Sequence, residues 1–425
     1  MNLSPDQHQA LIDITGFLTN KTTREFVLTG GPGMGKSFLT KQIIEKAKQL
    51  GYEIILGATT HPAAGVLANF ANDEVHTVHK LLDLVVVEDY VNNTTSIKQQ
   101  VPNKGPMISQ LSWGMSDILI IMDEASYIDE ELKGYIDSML NNFGCVYILY
   151  VGDKDQLPPV GSEEPYIFHC GLPTCYLTTD HRFKDDSQMA DIVRILKNNI
   201  TDKSYFLTGI NTGKEITVLD FDDFLDKTNE LYTSDEYQQN PYYVKSVAYR
   251  NTVVDNTNSY IRRLFFSDPE YQINERLLVN KPLVRNRKML AKNGDILTVL
   301  SNTQTDINGV KGQWIKFSNP QGNIFSAMVT TDYRKKSIEK KKFIKAADWK
   351  GLYNFMESFI EVKDIYASTI HKAQGASYKN IMLNLEDLVE CTDSTLLARL
   401  LLVAVSRASE HVYVYGEVPE NLLRK

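Results

Sequence analysis

Apolar runs of strand length alternate with helical patterns through the first half of the chain. "EFVLTG" runs into a Gly-rich turn, and "SFLTKQIIEKAKQL" then spaces its apolar residues as a helix does, stopping at Gly51. "YEIILGATT" predicts the next strand and "HPAAGVLANFA" a helix. "ILIIMDEAS" and "CVYILYVGD" predict two more strands, short and apolar on both faces. Such strands separated by helices predict a parallel sheet covered on both sides. One segment breaks the rhythm: "LLDLVVVEDYVNNTTSIKQQVPN" has β-prone stretches on either side of Asn92-Asn93, which predicts an inserted hairpin.

A second α/β set begins after Pro165. "TCYLTTDHRF" leads into a helical "SQMADIVRILKNN", and "VKSVAYR" precedes the helical "NTVVDNTNSYIRRLFF". "IYASTIHKAQGAS", "NIMLNL" and "LLVAVSRASEHVYVYG" resume the pattern near the C-terminus. Between them "NGDILTVLSNTQTDINGVKGQWIKFSNPQGNIFSAMV" offers short strands with Gly/Asn turns and predicts a small inserted β-barrel. The fold class is therefore α/β, with two parallel-sheet domains and two insertions.

Composition narrows the function classes. The 425 residues are 43% hydrophobic and 23% charged, as in an ordinary globular protein. A net charge of −8, from 45 basic and 53 acidic residues, argues against coating nucleic acid by bulk charge and leaves room for a local basic groove. The basic run from Arg334 to Lys345 and the acidic run from Asp220 to Glu230 read as solvated surfaces. Four cysteines form no dense framework, which predicts a reducing compartment. No run reaches the ~18 apolar residues that span a bilayer. The first residues do not read as a secretory signal, so no membrane partner and a cytoplasmic location are expected.

The chemistry begins at "GGPGMGKS", where Gly30, Gly31, Pro32, Gly33, Met34, Gly35, Lys36 and Ser37 carry the phosphate-loop spacing between a strand and a helix. Backbone N–H groups and the helix N-terminus there receive phosphates. Lys36 reaches the β and γ phosphates, and the Ser37 hydroxyl can ligate Mg²⁺. At the end of "ILIIMDEAS", Asp123 falls beside that metal and Glu124 can act as general base on the attacking water. Hydrolysis of a nucleoside triphosphate with Mg²⁺ as cofactor is expected. One such domain lacks a cation for the transferring phosphoryl group. Arg182 in "DHRF" and Arg407 in "VAVSRAS" can supply it from the second set, coupling hydrolysis to closure; such a finger is worth roughly 10³–10⁵ in rate.

"LSPDQHQAL", "GGPGMGKS", "ATTHPAAGVL", "VHTVHKLL", "DEAS", "GDKDQLPPV", "DHR", "ASTIHKAQGAS" and "LLVAVSRA" follow one another along the chain. This ordered set resembles the motif series of superfamily 1 DNA helicases, in the RecD/Dda branch. The resemblance runs from Leu3 to Gly416 and is loose only over the inserted barrel. It implies two RecA-like P-loop NTPase domains with a β-hairpin pin and a small SH3-like β-barrel. The implied boundaries are 1–165 with a hairpin at 83–106, then 166–275 with 361–425, and a barrel at 276–360.

The resemblance also implies roles. Gln7 would read the adenine edge, Gln156 would sense the γ phosphate, and Arg182 and Arg407 would be the two arginines of the second domain. Thr60, His61, Pro62, His79, Thr369 and His371 fall in motifs that line the DNA strand. Hydroxyl and imidazole donors beside small residues suit phosphate and sugar contacts that read no base. Tyr90 is the one aromatic of the hairpin that would separate strands. The implied activity is unwinding, 5′ to 3′ on single-stranded DNA, by a monomer at forked duplex. A single-stranded-DNA-binding protein or replisome component would be a partner, in the host cytoplasm if the chain is phage-encoded.

Two other readings start from residues. A nucleotide-driven switch or translocase would use the same phosphate site without parting strands. His169, Cys170, Cys175 and His181 have zinc-ligand types, but they lie across an apparent strand and beside the arginine motif. "GDKDQLPPV" itself is expected at the sheet's carboxyl edge. Gly152 would allow a tight turn, Asp153 and Asp155 would bond local backbone, and Pro158 and Pro159 would stiffen the exit.

Overall fold

The computed structural model describes residues 3–59, 63–64, 67–68, 74–89, 94–99, 116–159, 162, 164–182, 187–202, 212–285, 288–388 and 390–416, with backbone only at 85–89, 94–99 and 202. The chain divides into two compact units. The first comprises Met1–Val86, Ile97–Asn251 and Thr369–Lys425; the second comprises Val87–Ser96 and Thr252–Ser368.

The first unit holds two parallel sheets. One runs in the order Val75–Thr77, Glu53–Ala58, Ile118–Asp123, Val146–Gly152, Glu25–Gly30 and Thr174–Leu177. All its paired strands are parallel. Ile118–Met122 and Val146–Gly152 are buried without a break, so both faces must be covered, as their unbroken apolar runs require. Pro5–Asn20, Lys36–Gln49 and Glu130–Asn142 are helices; Pro5 opens the first, and Asp129 caps the third by accepting from Leu132 N at 2.8 Å. The other sheet aligns Val244–Ala248, Tyr378–Asn384, Ala408–Tyr415 and Ile216–Leu219 in parallel. Its core is built on Ser394–Ser406, buried along nearly its whole length, and on Gln188–Asp202.

The second unit is centred on an antiparallel sheet in the order Ile324–Val329, Val310–Ser318, Ile296–Ile307, Arg276–Val279 and Val362–Asp364. Leu283–Arg285 and Lys288–Ala291 form a separate two-stranded ribbon. The basic run is a helix, Tyr333–Lys345, whose Glu339 carboxylate is paired by Lys335 at 3.3 Å and Lys342 at 2.7 Å. Leu84–Asp89 and Thr94–Gln99 form the two-stranded hairpin that the β-prone stretches predict. Its turn and Tyr90 lie outside the described residues. Among the described residues no helix is long and apolar enough to cross a membrane.

Candidate ATP and nucleic-acid site

The phosphate loop joins Glu25–Gly30 to the helix that starts at Lys36. Gly33 and Gly35 have φ of +83° and +75°, backbone that L side chains rarely adopt. Each glycine also admits a neighbour. A methyl on Gly33 would collide with Arg182 Cβ and lie 2.9 Å from Asp180 Oδ1; one on Gly35 would overlap Gln7 Nε2. Gln7 is buried, takes the Ser4 N–H on Oε1 at 3.1 Å and donates from Nε2 to Met34 O at 3.3 Å. It is thus fastened to the loop that would hold a nucleotide. Pro32 is buried and Ser37 exposed. Lys36 Nζ donates to Gly30 O at 2.7 Å and Gly31 O at 3.0 Å, and burial pushes its pKa down.

Asp123 ends its strand and accepts the Glu124 N–H at 2.9 Å. Glu124 has left-handed backbone, φ 53° and ψ 45°, and its carbonyl accepts from Thr59 Oγ1 at 3.0 Å. A non-glycine residue in this conformation costs about 1–3 kcal/mol and persists only where the surroundings impose it. Burial, then the Asp123 charge, pushes the Glu124 carboxyl up to about 7, while Lys36 and Arg407 oppose that shift. Burial also raises Asp123. The Asp123 carboxyl at its strand end and the Ser37 hydroxyl in the first turn after the loop are hard-oxygen donors of the kind Mg²⁺ takes, one or two carboxylates with its other positions left to water and phosphate.

Arg407 is buried and donates from Nη1 to Ala376 O at 3.1 Å and from Nη2 to Ser406 Oγ at 3.2 Å. Its charge acts on Glu124. Arg182 takes another direction: its Nη1 donates to Ser406 O and its Nη2 reaches Ser377 Oγ at 3.5 Å. Here it braces the turn that carries Arg407.

The "GDKDQL" loop links the two sheets of this unit. Gln156 is buried, and its Oε1 accepts from Gln374 Nε2 at 2.6 Å. Gln374 Oε1 accepts from Tyr127 Oη at 2.7 Å, and the same hydroxyl lies 3.2 Å from His371 O. Leu157 is fully buried in the core of the second sheet. Asp153 Oδ1 takes the Asp155 N–H at 3.0 Å, as a turn-forming aspartate should, whereas Asp155 pairs with Lys154 Nζ at 2.7 Å. Gly152 has no left-handed φ. A Cβ there would lie 3.0 Å from Phe168 Cζ and 3.1 Å from Ala125 N, so close approach of the "DEAS" turn explains the glycine.

The two described motifs expected to line a nucleic-acid strand share one local design. Val75–Thr77 leads into the one-turn helix Val78–Leu81, capped by Thr77 Oγ1 on Lys80 N at 3.2 Å. Ala367–Thr369 leads into Ile370–Ala373, capped by Thr369 Oγ1 on Lys372 N at 3.4 Å. His79 and His371 occupy the same position in each helix, are half-buried, and are held neutral because burial lowers their pKa. The Thr369 hydroxyl accepts as a cap, which leaves its proton and one lone pair for other partners. Thr60, His61 and Pro62 lie outside the described residues.

The zinc-type residues point elsewhere. His169 pairs with Glu164 at 3.4 Å, Cys170 Sγ donates to Ile167 O, Cys175 Sγ to Val27 O, and His181 Nε2 lies 3.1 Å from Gln7 Nε2.

Residues 17–162 match the family described as AAA domain, and residues 364–415 match the UvrD-like helicase C-terminal domain. The ATP-dependent DNA helicase dda of Enterobacteria phage T4 is 25% identical over 92% of this chain and 95% of its own length. Together these matches support a superfamily 1 helicase of the RecD/Dda type. This helicase is also 33% identical to the ATP-dependent RecD2 DNA helicase of Deinococcus radiodurans, over 42% of this chain and 22% of that protein. Its fold is similar to that of Pif1 helicase from Bacteroides, solved in complex with ADP-AlF3 and ssDNA. The TM-score is 0.58 at 17% identity, covering 100% of this chain and 95% of that one.

Gln374, Tyr127 and Leu157 carry no assignment at the sequence level. Gln374 lies inside the motif "HKAQGAS", which marks the segment but not its partner. The buried position of Leu157 is set by a core formed far along the chain.

Proposed function

We propose that this helicase hydrolyses ATP to move 5′ to 3′ on single-stranded DNA and to part a forked duplex. The convergence of Lys36, Asp123, Glu124 and Arg407 on one loop edge, bridged by Gln156 and Gln374 to the second sheet, carries this reading. The phosphates would lie against the loop amides and Lys36, with Gln7 toward the base. Ser37 and Asp123 would hold Mg²⁺, which supplies charge neutralisation on the phosphate oxygens. Glu124 takes a proton from water as its oxygen attacks the γ phosphorus. The bond to the bridging oxygen breaks, and ADP leaves with that electron pair. Arg407, with Arg182 bracing it, offsets charge on the transferring group.

Closure of two RecA-like domains, 1–165 and 166–275 with 361–425, would make the Gln156–Gln374 bridge sensitive to nucleotide. Thr60, His61, Pro62, His79, Thr369 and His371 would contact the strand. The hairpin at 83–106 would act as the pin, and 276–360 as the SH3-like barrel. We further propose a cytoplasmic monomer that meets a single-stranded-DNA-binding protein or replisome component.

The test is ATPase with and without single-stranded DNA, then unwinding of matched duplexes with a 5′ or a 3′ tail. DNA-stimulated turnover with strand separation only from the 5′ tail is expected. Absence of stimulation would overturn the motor reading, separation from the 3′ tail the polarity, and stimulation without separation the unwinding.

A further inference from the structure

The helix Gln188–Asp202 carries no motif assignment, yet it delivers a charge to the phosphate loop. A methyl on Gly31 would overlap Lys197 Nζ and lie 3.0 Å from its Cε, so the ammonium sits directly over the loop. Gly31 O is one of the two carbonyls that Lys36 Nζ bonds, which places Lys197 at the end of the loop where Lys36 meets the β and γ phosphates. The two lysines repel each other, and both act on Asp153. Lys197 has no ion pair within 4.0 Å among the described residues. Asp153 Oδ2 is buried and has no hydrogen-bond partner among the described residues. Two like charges held at one phosphate loop stand ready for a multivalent anion between them, because an anion relieves their repulsion.

We propose that Lys197 is a nucleotide-contacting residue that binds the terminal phosphate of ATP and so distinguishes triphosphate from diphosphate. This rests on the reading of the loop as an ATP site. Lysine suits such a contact, because a point charge on a flexible stem can follow the phosphate as it separates. With nucleotide released, the head returns toward Gly31 and the Asp153 carboxylate. The side chain is half-buried, so its removal leaves the core of its helix intact.

The experiment compares Lys197→Ala, Lys197→Met and Lys197→Arg with the unaltered full chain. Binding of adenylyl imidodiphosphate and of ADP is measured by calorimetry, beside kcat and KM for ATP. Loss of a charged hydrogen bond predicts a roughly 10–100-fold weaker triphosphate analogue in the Ala and Met variants. ADP affinity should stay within about twofold, with most of the loss rescued by Arg. Equal weakening of both nucleotides would mark Lys197 as merely structural and overturn the proposal, as would unchanged binding of both. Should the Ala variant fail to fold, the Met variant keeps the aliphatic stem and answers the same question. If the unaltered chain fails to hydrolyse ATP, the helicase reading fails by itself; an active chain with an indifferent Lys197 variant sinks only this inference.

Discussion

Glu124 joins a strained backbone to a displaced pKa, and both have consequences for rate. A general base must be ionised, and burial beside Asp123 pushes this carboxyl up to about 7. Below that pH the group holds its proton and cannot take one from water. The acid limb of kcat/KM for ATP should therefore fall about tenfold per pH unit below about pH 7, as a macroscopic titration of the Asp123–Glu124 pair. A profile flat down to pH 5 would contradict the role. Glu124→Gln should lose roughly 10²–10⁴ in kcat while still binding nucleotide. Arg407→Ala should slow kcat by about 10³ or more with a smaller change in ATP affinity, since its charge matters most in the transition state. An affinity loss at unchanged kcat would refute it. Glu124 was legible from the sequence because the phosphate loop and the acidic strand end are local patterns, whereas Arg407 was marked only by its place in the motif order. The loop's spacing is fixed between one strand and one helix, and the acidic pair by the end of a second strand.

At the scale of elements, the loop after Val146–Gly152 is more than a sensor at a sheet edge. Gln156 is joined to Gln374, and Leu157, the next residue, is sealed in the core of the second sheet. Movement of either sheet's loops is thereby shared. Gln374→Ala removes two hydrogen bonds, the one it donates to Gln156 and the one it accepts from Tyr127, each worth about 0.5–1.5 kcal/mol net, so the ratio of DNA-stimulated to DNA-free ATPase should fall by up to about a hundredfold. An unchanged ratio would separate this bridge from coupling. Leu157→Ala should cost about 2–5 kcal/mol in denaturant unfolding, as a cavity in a packed core does. Neither partner could be read from the chain, because Gln156 and Gln374 are 218 residues apart. The paired "HTVHKLL" and "STIHKAQ" turns, by contrast, were visible as motifs. Their Thr caps are local chemistry that the structure reproduces twice.

At the scale of the molecule, the second unit has a keystone of its own. Arg262 donates to both oxygens of the buried Glu275 carboxylate, at 2.7 and 3.0 Å, and to Asp268 O and Glu270 O at 2.6 and 2.7 Å. Arg262→Ala would strip the buried Glu275 carboxylate of its cation and leave it the Gln272 N–H, at a cost of about 3–5 kcal/mol. Thermal unfolding followed by calorimetry should then show a transition shifted to lower temperature; an unshifted scan would show the pair to be dispensable. The sequence by itself determined the parallel strands, the two strands of the hairpin, the presence of a strand-rich insertion and the glycine-rich loop between a strand and a helix. Each depends on residues close along the chain, where periodicity and spacing impose the outcome. Only the tertiary structure decided that Gly152 serves close packing, that Arg182 braces Arg407, that Gln156 meets Gln374, and that Lys197 reaches the loop. Those contacts join segments distant in sequence, and they are set by how packed layers bring side chains together.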